Sequence, residues 1–343
     1  MEYYAWTFKT LPNLTKSVQM LKSKNRLILS GTGTPVQNNT NDLYAQFNFL
    51  NPGLLGNYEF FKQEFANAID KSGDKDKISQ LRKLIYPFLL RRTKEQVAKD
   101  LPDKTEMILW CTMGKEQKSA YDDYKNYYKN AILKKIDEDG LGKAGIYVLE
   151  GLLKLRQICD HPALLKDETI ISNESVKLEE LFREVQENIG DRKSLIFSQF
   201  TEMLKLIAAR LDEAGIKYCY LDGSTPAAQR QKQVEAFQAN EDIKIFLISL
   251  KAGGVGLNLT AADYVYLVDP WWNPAAEQQA IDRTHRIGQK KKIFAYKMIC
   301  KDSIEEKILK LQEKKKDLSG DLVSEDSAFI KKLKRNDIEF LFT

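Results

Sequence analysis

An α/β fold built on a largely parallel sheet is predicted by three observations. From Val176 onward, short apolar strand-like runs alternate regularly with amphipathic helical ones. Three of those runs, SLIFS (Ser194 to Ser198), IFLIS (Ile245 to Ser249) and YVYLV (Tyr264 to Val268), are apolar almost throughout, as strands covered by helices on both faces must be. The loops after IFLIS, YVYLV and Tyr218 to Leu221 hold clusters of glycine, proline and polar residues, which suits the carboxyl edge of a parallel sheet, where ligands bind.

The elements run as follows. Arg26 to Ser30 is a short strand entering a Gly/Thr/Pro turn, and Asn41 to Leu50 is a helix with Leu43, Phe47 and Leu50 on one face. Tyr58 to Phe88 reads as a small helical hairpin broken by the polar stretch Lys71 to Lys77. Lys104 to Cys111 is a strand; Lys115 to Ile136 and Ile146 to Cys159 are helices separated by a turn from Asp139 to Gly145. The regular alternation then follows: helices Val176 to Asn188, Met203 to Ala214, Pro226 to Ala239, Ala275 to Thr284 and Ile304 to Lys316, with strands at Ser194, Lys217, Lys244, Tyr264 and Ile293.

At 343 residues, 43% hydrophobic and 29% charged, the chain is long enough for about two domains with their own cores. No apolar run reaches the roughly 20 residues of a membrane span, and MEYYAWTFKT lacks the pattern of a signal peptide, so a location inside the cell is expected, away from membranes. Cys111, Cys159, Cys219 and Cys300 are widely spaced and only two histidines exist, which argues against a zinc site or a disulfide framework. They are read as packed thiols, with no metal site. Fifty-three basic against forty-eight acidic residues leave +5, which permits a polyanionic partner without requiring one. A solvated helix face explains each of the clusters Lys290 to Lys292, Lys314 to Lys316 and Lys331 to Arg335, and for the last two it is preferred to DNA contact.

Three loops carry chemistry. In Leu250 to Leu259, three glycines within four residues, Gly253, Gly254 and Gly256, would let the backbone approach a phosphate or sugar, or simply form a tight turn. After Tyr264 to Val268 comes Asp269-Pro270-Trp271-Trp272-Asn273-Pro274, then a helix placing Gln279, Arg283 and Arg286 on one face. Two guanidiniums so spaced can reach one polyphosphate, although an Asp282–Arg286 pair on a solvated face accounts for the spacing too. Asp222-Gly223-Ser224-Thr225-Pro226 offers hydroxyls and amides for a DNA phosphate, or caps the next helix.

These loops in this order resemble the second RecA-like lobe of the Swi/Snf-type, superfamily 2 helicase-like DNA-dependent ATPases. SLIFSQF (Ser194 to Phe200) resembles helicase motif IV, and LDGSTPAAQRQKQVEAF (Leu221 to Phe237) the block after it. SLKAGGVGLNLTAAD (Ser249 to Asp263) resembles motif V, and EQQAIDRTHRIGQ (Glu277 to Gln289) motif VI, with His285 and the closing Ile-Gly-Gln setting it apart from RNA helicases. Upstream, RLILSGTGTPVQNN (Arg26 to Asn39) is similar to motif III, NDLYAQFNFLNPGLLG (Asn41 to Gly56) to the helix leading into the first protrusion, FLLRRTKEQVAKDLPDK (Phe88 to Lys104) to the inter-lobe linker, and LLKLRQICDHPALL (Leu152 to Leu165) to the end of a second protrusion.

The resemblance implies a RecA-like parallel sheet flanked by helices, with helical insertions and a remnant of a first RecA-like lobe. Residues 1–56 would be that remnant with motif III, 57–103 a helical protrusion and linker, 104–175 the start of the second lobe with its own protrusion, 176–318 the second lobe and 319–343 a tail or brace. By the family's pattern Arg283 and Arg286 are arginine fingers, while Gly256, Leu257, Asn258 and Gln279 contact ATP. Ser224, Thr225, Lys251, Ala252, Gly253 and Gly254 contact the tracked DNA strand, and Gly31, Thr32, Thr34, Pro35 and Asp269 couple the two. The implied partners are double-stranded DNA, a first lobe in cis or trans and a DNA-bound protein complex to be moved. ATP with Mg²⁺ would be held mainly by the first lobe. The compact insertions resemble bacterial members, which places the protein in cytoplasm and nucleoid; a eukaryotic member would be nuclear.

Two departures stand against the pattern. No Gly-Lys is followed by Ser or Thr, so a P-loop is missing, and Asp212-Glu213-Ala214-Gly215 imitates a Walker B box only in letters, since it closes a helix. Ser30-Gly31-Thr32-Gly33-Thr34-Pro35 carries an extra Gly-Thr, and Met1 to Met20 match the pattern only loosely. A truncated gene product, or a fragment partnered by another chain, accounts for both, and the chain alone is expected not to hydrolyse ATP. A non-catalytic DNA-binding or regulatory module is the rival expectation; a nucleotide-using metabolic enzyme is the third, disfavoured by the lack of any acid, base or nucleophile cluster.

Overall fold

The computed structural model describes residues 40–72, 74–90, 98, 100–165, 174–253, 257–270, 274–316, 333 and 335–343. The expected strand Arg26 to Ser30, Gly31, Thr32, Thr34 and Pro35, and also Gly254 and Gly256, lie outside the described residues. The chain divides into two compact units, Met1–Lys99 with Leu322–Glu325, and Asp100–Asp321 with Asp326–Thr343.

In the first unit, helix α1 (Thr40–Leu50) turns its apolar face, Leu43 and Phe47, onto Phe61, Phe65, Leu81 and Ile85. Helix α2 (Tyr58–Phe61) starts at Asn57, whose side chain accepts from the Phe60 amide at 2.8 Å, and runs on as two π-helical segments, Lys62–Ala66 and Ala68–Ser72. Asp74 then caps α3 (Lys75–Ile85) by accepting from the Asp76 and Lys77 amides. The polar break expected over Lys71 to Lys77 therefore narrows to the residues between Ser72 and Lys75. Their N-cap chemistry starts the next helix at once.

The second unit is a six-stranded, wholly parallel sheet in the order β1-β6-β5-β2-β4-β3. Its strands are β1 (Lys104–Cys111), β2 (Ser194–Ser198), β3 (Tyr218–Leu221), β4 (Ile245–Ser249), β5 (Tyr264–Leu267) and β6 (Ile293–Cys300). Because side chains alternate across a strand, the sheet supplies two cores. Ile196, Leu247, Tyr266 and Met298 pack in one, and Leu195, Phe197, Phe246, Ile248, Val265 and Leu267 in the other. Every residue of β2 and β4 is buried.

Two long helices, α4 (Lys115–Asp139) and α5 (Leu141–Asp160), form an insertion between β1 and α6 (Val176–Glu184). The turn expected over Asp139 to Gly145 is a single residue, Gly140 at φ +80°, a conformation glycine tolerates without a Cβ clash; α5 starts immediately after it. The remaining helices are α7 (Thr201–Glu213), α8 (Ala227–Ala239), the short α9 (Leu250–Gly253), α10 (Pro274–Ile281), α11 (Ile304–Lys316) and α12 (Arg335–Phe342). Gly215, at φ +66°, ends α7, with its amide donating to the Asp212 carbonyl, which confirms Asp212 to Gly215 as a helix terminus. Helix α12 packs against α4 and α11, burying Ile338, Leu341 and Phe342, and Arg335 reaches Asp137 at 3.0 Å. All four cysteines are buried free thiols. Among the described residues no helix is long and apolar enough to cross a membrane.

Candidate functional site

All six strands point the same way, so the loops leaving β2, β3, β4 and β5 gather along one edge of the sheet. At the β5 exit, Asp269 is wholly buried; its carboxylate accepts from the Ser198 hydroxyl at 3.1 Å and from the Gln199 amide at 3.0 Å, stitching the β5 exit to the β2 exit. Burial pushes its carboxyl up to about 6, against the pull of Arg156 and Lys177.

At the β4 exit the Ser249 hydroxyl accepts from the Ala252 amide at 3.2 Å and starts α9. This leaves Lys251 exposed and Ala252 buried. Gly253 ends that helix. When the chain returns at Leu257, Gln238 of α8 clasps it, donating to the Asn258 carbonyl and accepting from the Ala261 amide, both at 2.9 Å. Leu257 is half-buried and Asn258 exposed. The Leu259 amide donates to the Arg283 carbonyl at 3.0 Å, so this loop and the arginine-bearing segment are joined directly.

Helix α10 is shorter than the expected Ala275 to Thr284: it ends at Ile281, and the next bonds are tighter, from the Arg283 amide to Ala280 and from the Thr284 amide to Ile281. Gln279 stays on the helix, half-buried and without a hydrogen-bond partner among the described residues, whereas Arg283 and Arg286 lie in the turns beyond it. The common helix face thus gives way to a turn, because Gln289 folds the segment back. That side chain donates to the carbonyls of Thr260, Ala262 and Thr284 and accepts from the amides of Lys290 and Lys291. Nothing in the spacing pointed to Gln289; the signal was only its place at the end of the Ile-Gly-Gln run.

Arg283 is 4% exposed, and its buried Nε has no hydrogen-bond partner among the described residues. Burial and the neighbouring Arg286 both lower its pKa, two costs that an incoming anion would remove together. Arg286 is half-buried, its Nε donating to the Asp282 carbonyl at 3.0 Å. An under-satisfied guanidinium beside a second one fits a polyphosphate. A magnesium ligand is a different matter. Asp269 is committed to Ser198 and Gln199 below the surface, so it does not suit Mg²⁺.

At the β3 exit Ser224 and Thr225 do not cap α8, whose N-cap is Pro226 without a side-chain bond. They turn back to Asp222 instead: the Ser224 hydroxyl and amide donate to Asp222 Oδ1 at 2.6 and 2.9 Å, and Thr225 Oγ1 accepts from the Asp222 amide at 3.0 Å. These bonds hold the Asp222 carboxyl below the usual carboxylate range. Arg230 fastens the turn from below, donating to the Thr225 carbonyl at 2.8 Å.

One further group has metal-like spacing, Cys159, Cys300 and Glu305. Its atoms are otherwise engaged. The Cys300 thiol donates to the Cys159 carbonyl at 3.4 Å and its pKa is driven up, while Glu305 accepts from Lys177 at 2.6 Å and from the Cys300 amide at 3.0 Å.

Comparison with known proteins agrees with this geometry. Residues 9–164 match the SNF2-related domain and residues 176–288 the helicase conserved C-terminal domain. The chain is 38% identical over 336 residues to the Bacillus subtilis (strain 168) protein YwqA, covering 96% of this chain and 36% of YwqA. It is 38% identical over 315 residues to the human SWI/SNF-related matrix-associated actin-dependent regulator of chromatin subfamily A member 1, covering 88% of this chain and 29% of that protein. The chain therefore spans about a third of the length of these curated relatives. Among solved structures, the Sulfolobus solfataricus SWI2/SNF2 ATPase core in complex with double-stranded DNA superposes with a TM-score of 0.60 at 36% identity, over 96% of this chain and 69% of that one. The strand order, the arginine-bearing edge and these matches together place the chain in the SWI2/SNF2 family of helicase-like ATPases.

Proposed function

We propose that the chain is the second motor lobe of an ATP-dependent double-stranded-DNA translocase. The observation that carries this is Arg283, a buried guanidinium whose Nε has no hydrogen-bond partner among the described residues, beside Arg286 at the carboxyl edge of a parallel sheet. There the two arginines neutralise charge developing on a γ-phosphoryl group, and Gln279 with Leu257 and Asn258 contacts the nucleotide. Lys251 and the backbone of α9 take phosphates of the tracked DNA strand, and the Asp222 turn joins them when the Ser224 hydroxyl rotates away from Asp222. Asp269 couples the two by tying β5 to β2. Mg²⁺ and the triphosphate grip come from a P-loop-bearing lobe, so this chain on its own does not turn over ATP.

The test is duplex-stimulated ATP turnover by the chain alone, by the chain joined to a P-loop-bearing first lobe of a relative, and by that fusion with Arg286→Ala. Turnover is expected only in the unmutated fusion, with a loss on the order of 10³-fold for the arginine change. A fusion that binds duplex DNA but stays silent would support the second reading, a DNA-binding module without catalysis of its own.

A further inference from the structure

Two buried cations take no part in the nucleotide or DNA contacts described above. Lys177, in the first turn of α6, is completely buried, and its ammonium donates to Asp160 Oδ1 at 2.8 Å, Glu305 Oε1 at 2.6 Å and the Val268 carbonyl at 2.7 Å. An ammonium has three protons, and acceptors from α5, α11 and the β5 exit use all of them. Arg156, on α5, is also buried; its Nη2 donates to the Pro270 carbonyl at 2.7 Å, with the guanidinium 5.8 Å from the centre of the Phe200 ring.

The two carbonyls so held flank Asp269. Its own carboxylate is gripped from the other side by Ser198 and Gln199, so Val268, Asp269 and Pro270 are fixed in succession. From Pro270 the chain runs through Trp271 and Trp272 into α10, where Glu277 pairs with Lys297 of β6 at 2.7 Å, and then to Arg283 and Arg286. Burying a cation is costly unless its donors are matched, and apolar side chains would fill the same space at less cost. What apolar side chains cannot do is fix the position of a carbonyl.

We propose that Arg156 and Lys177 are positioning residues that tie the helical insertion α4–α5 to the arginine-bearing segment through the backbone of Val268 to Pro270. Movement of the insertion is thereby passed to Arg283 and Arg286; this rests on the reading that those arginines face the nucleotide. Neither Arg156 nor Lys177 touches the reacting atoms.

Two measurements test it. In the fusion with a P-loop-bearing lobe, Arg156→Leu is expected to lower kcat by about tenfold or more while the KM for ATP and the affinity for duplex DNA stay within about twofold, and Arg156→Lys, which still donates to the carbonyl, restores most of the rate. An unchanged kcat in a folded variant, or equal losses in rate and both affinities, overturns the proposal. The second measurement needs no turnover: fluorine NMR of the chain labelled with 5-fluorotryptophan. The Trp271 and Trp272 signals are expected to shift in Arg156→Leu and Lys177→Met while Trp110, on β1, holds still. Unmoved Trp271 and Trp272 signals in a folded Arg156→Leu chain overturn it, whether or not Lys177→Met folds. A silent unmutated fusion would count against the motor reading alone, leaving the fluorine result to decide the positioning role.

Discussion

Asp269 shows how one residue can couple burial to pH. Its carboxyl is raised from an ordinary 3.8 to about 6 because desolvation outweighs the nearby cations. The folded chain therefore binds a proton more readily than the unfolded chain, so this group stabilises the fold fully below about pH 4 and loses that contribution as pH rises through 6. Asp269→Asn removes the titration and turns an NH₂ or a lone oxygen toward Gln199. We expect Asp269→Asn to cost about 1–3 kcal/mol. The gap between native chain and variant should widen as pH falls from 7 to 5 in urea melts, and a gap independent of pH would show that Asp269 does not titrate in this window. Arg283 has the opposite electrostatic character, a buried cation whose Nε has no hydrogen-bond partner among the described residues, whereas the ammonium of Lys177 has an acceptor for each of its three protons.

At the scale of elements, the carboxyl edge is organised by amides more than by charges. Gln238 ties α8 to the loop at Asn258 to Ala261, and Gln289 ties that loop to its own segment, its two amide protons shared among the carbonyls of Thr260, Ala262 and Thr284 while its oxygen accepts from two amides. Replacing Gln289 with Leu, similar in bulk but without these bonds, leaves the sheet intact. Hydrogen exchange at the Lys290 and Lys291 amides should then accelerate by about tenfold or more, since each loses its acceptor. Equal protection in the variant would mean that neighbouring packing, not Gln289, holds the segment. Helix α12 works through apolar contact instead, seating Phe342 against Tyr128 across Gly151, where a Cβ would meet both rings at 3.0–3.1 Å.

At the scale of the whole molecule, the sheet, both of its cores and the arginine-bearing edge all fall within Asp100 to Thr343. A polypeptide of residues 100–343 is therefore expected to melt in one cooperative transition, followed by circular dichroism. A broad, non-cooperative melt would show that the first unit completes its fold.

How much of this was legible beforehand depended on the range of the interactions concerned. The parallel sheet and its helices followed from local periodicity: SLIFS, IFLIS and YVYLV are apolar because both faces of their strands are covered, and each became a strand as expected. Arg283 and Arg286 were singled out by motif and spacing. Only the tertiary structure placed them in turns beyond α10, because the bonds of Gln289 that shorten the helix reach back to Thr260 and Ala262. The same holds for Ser224 and Thr225, whose hydroxyls choose Asp222 over the helix amides, and for Lys177, whose partners lie 17, 91 and 128 residues away. Sequence alone determined the fold class, the family and the residues carrying charge at the edge, since these rest on composition and near-neighbour pattern. Which donors are already satisfied and which remain open to a ligand was decided by the folded chain, because hydrogen-bond satisfaction depends on distances that no local pattern encodes.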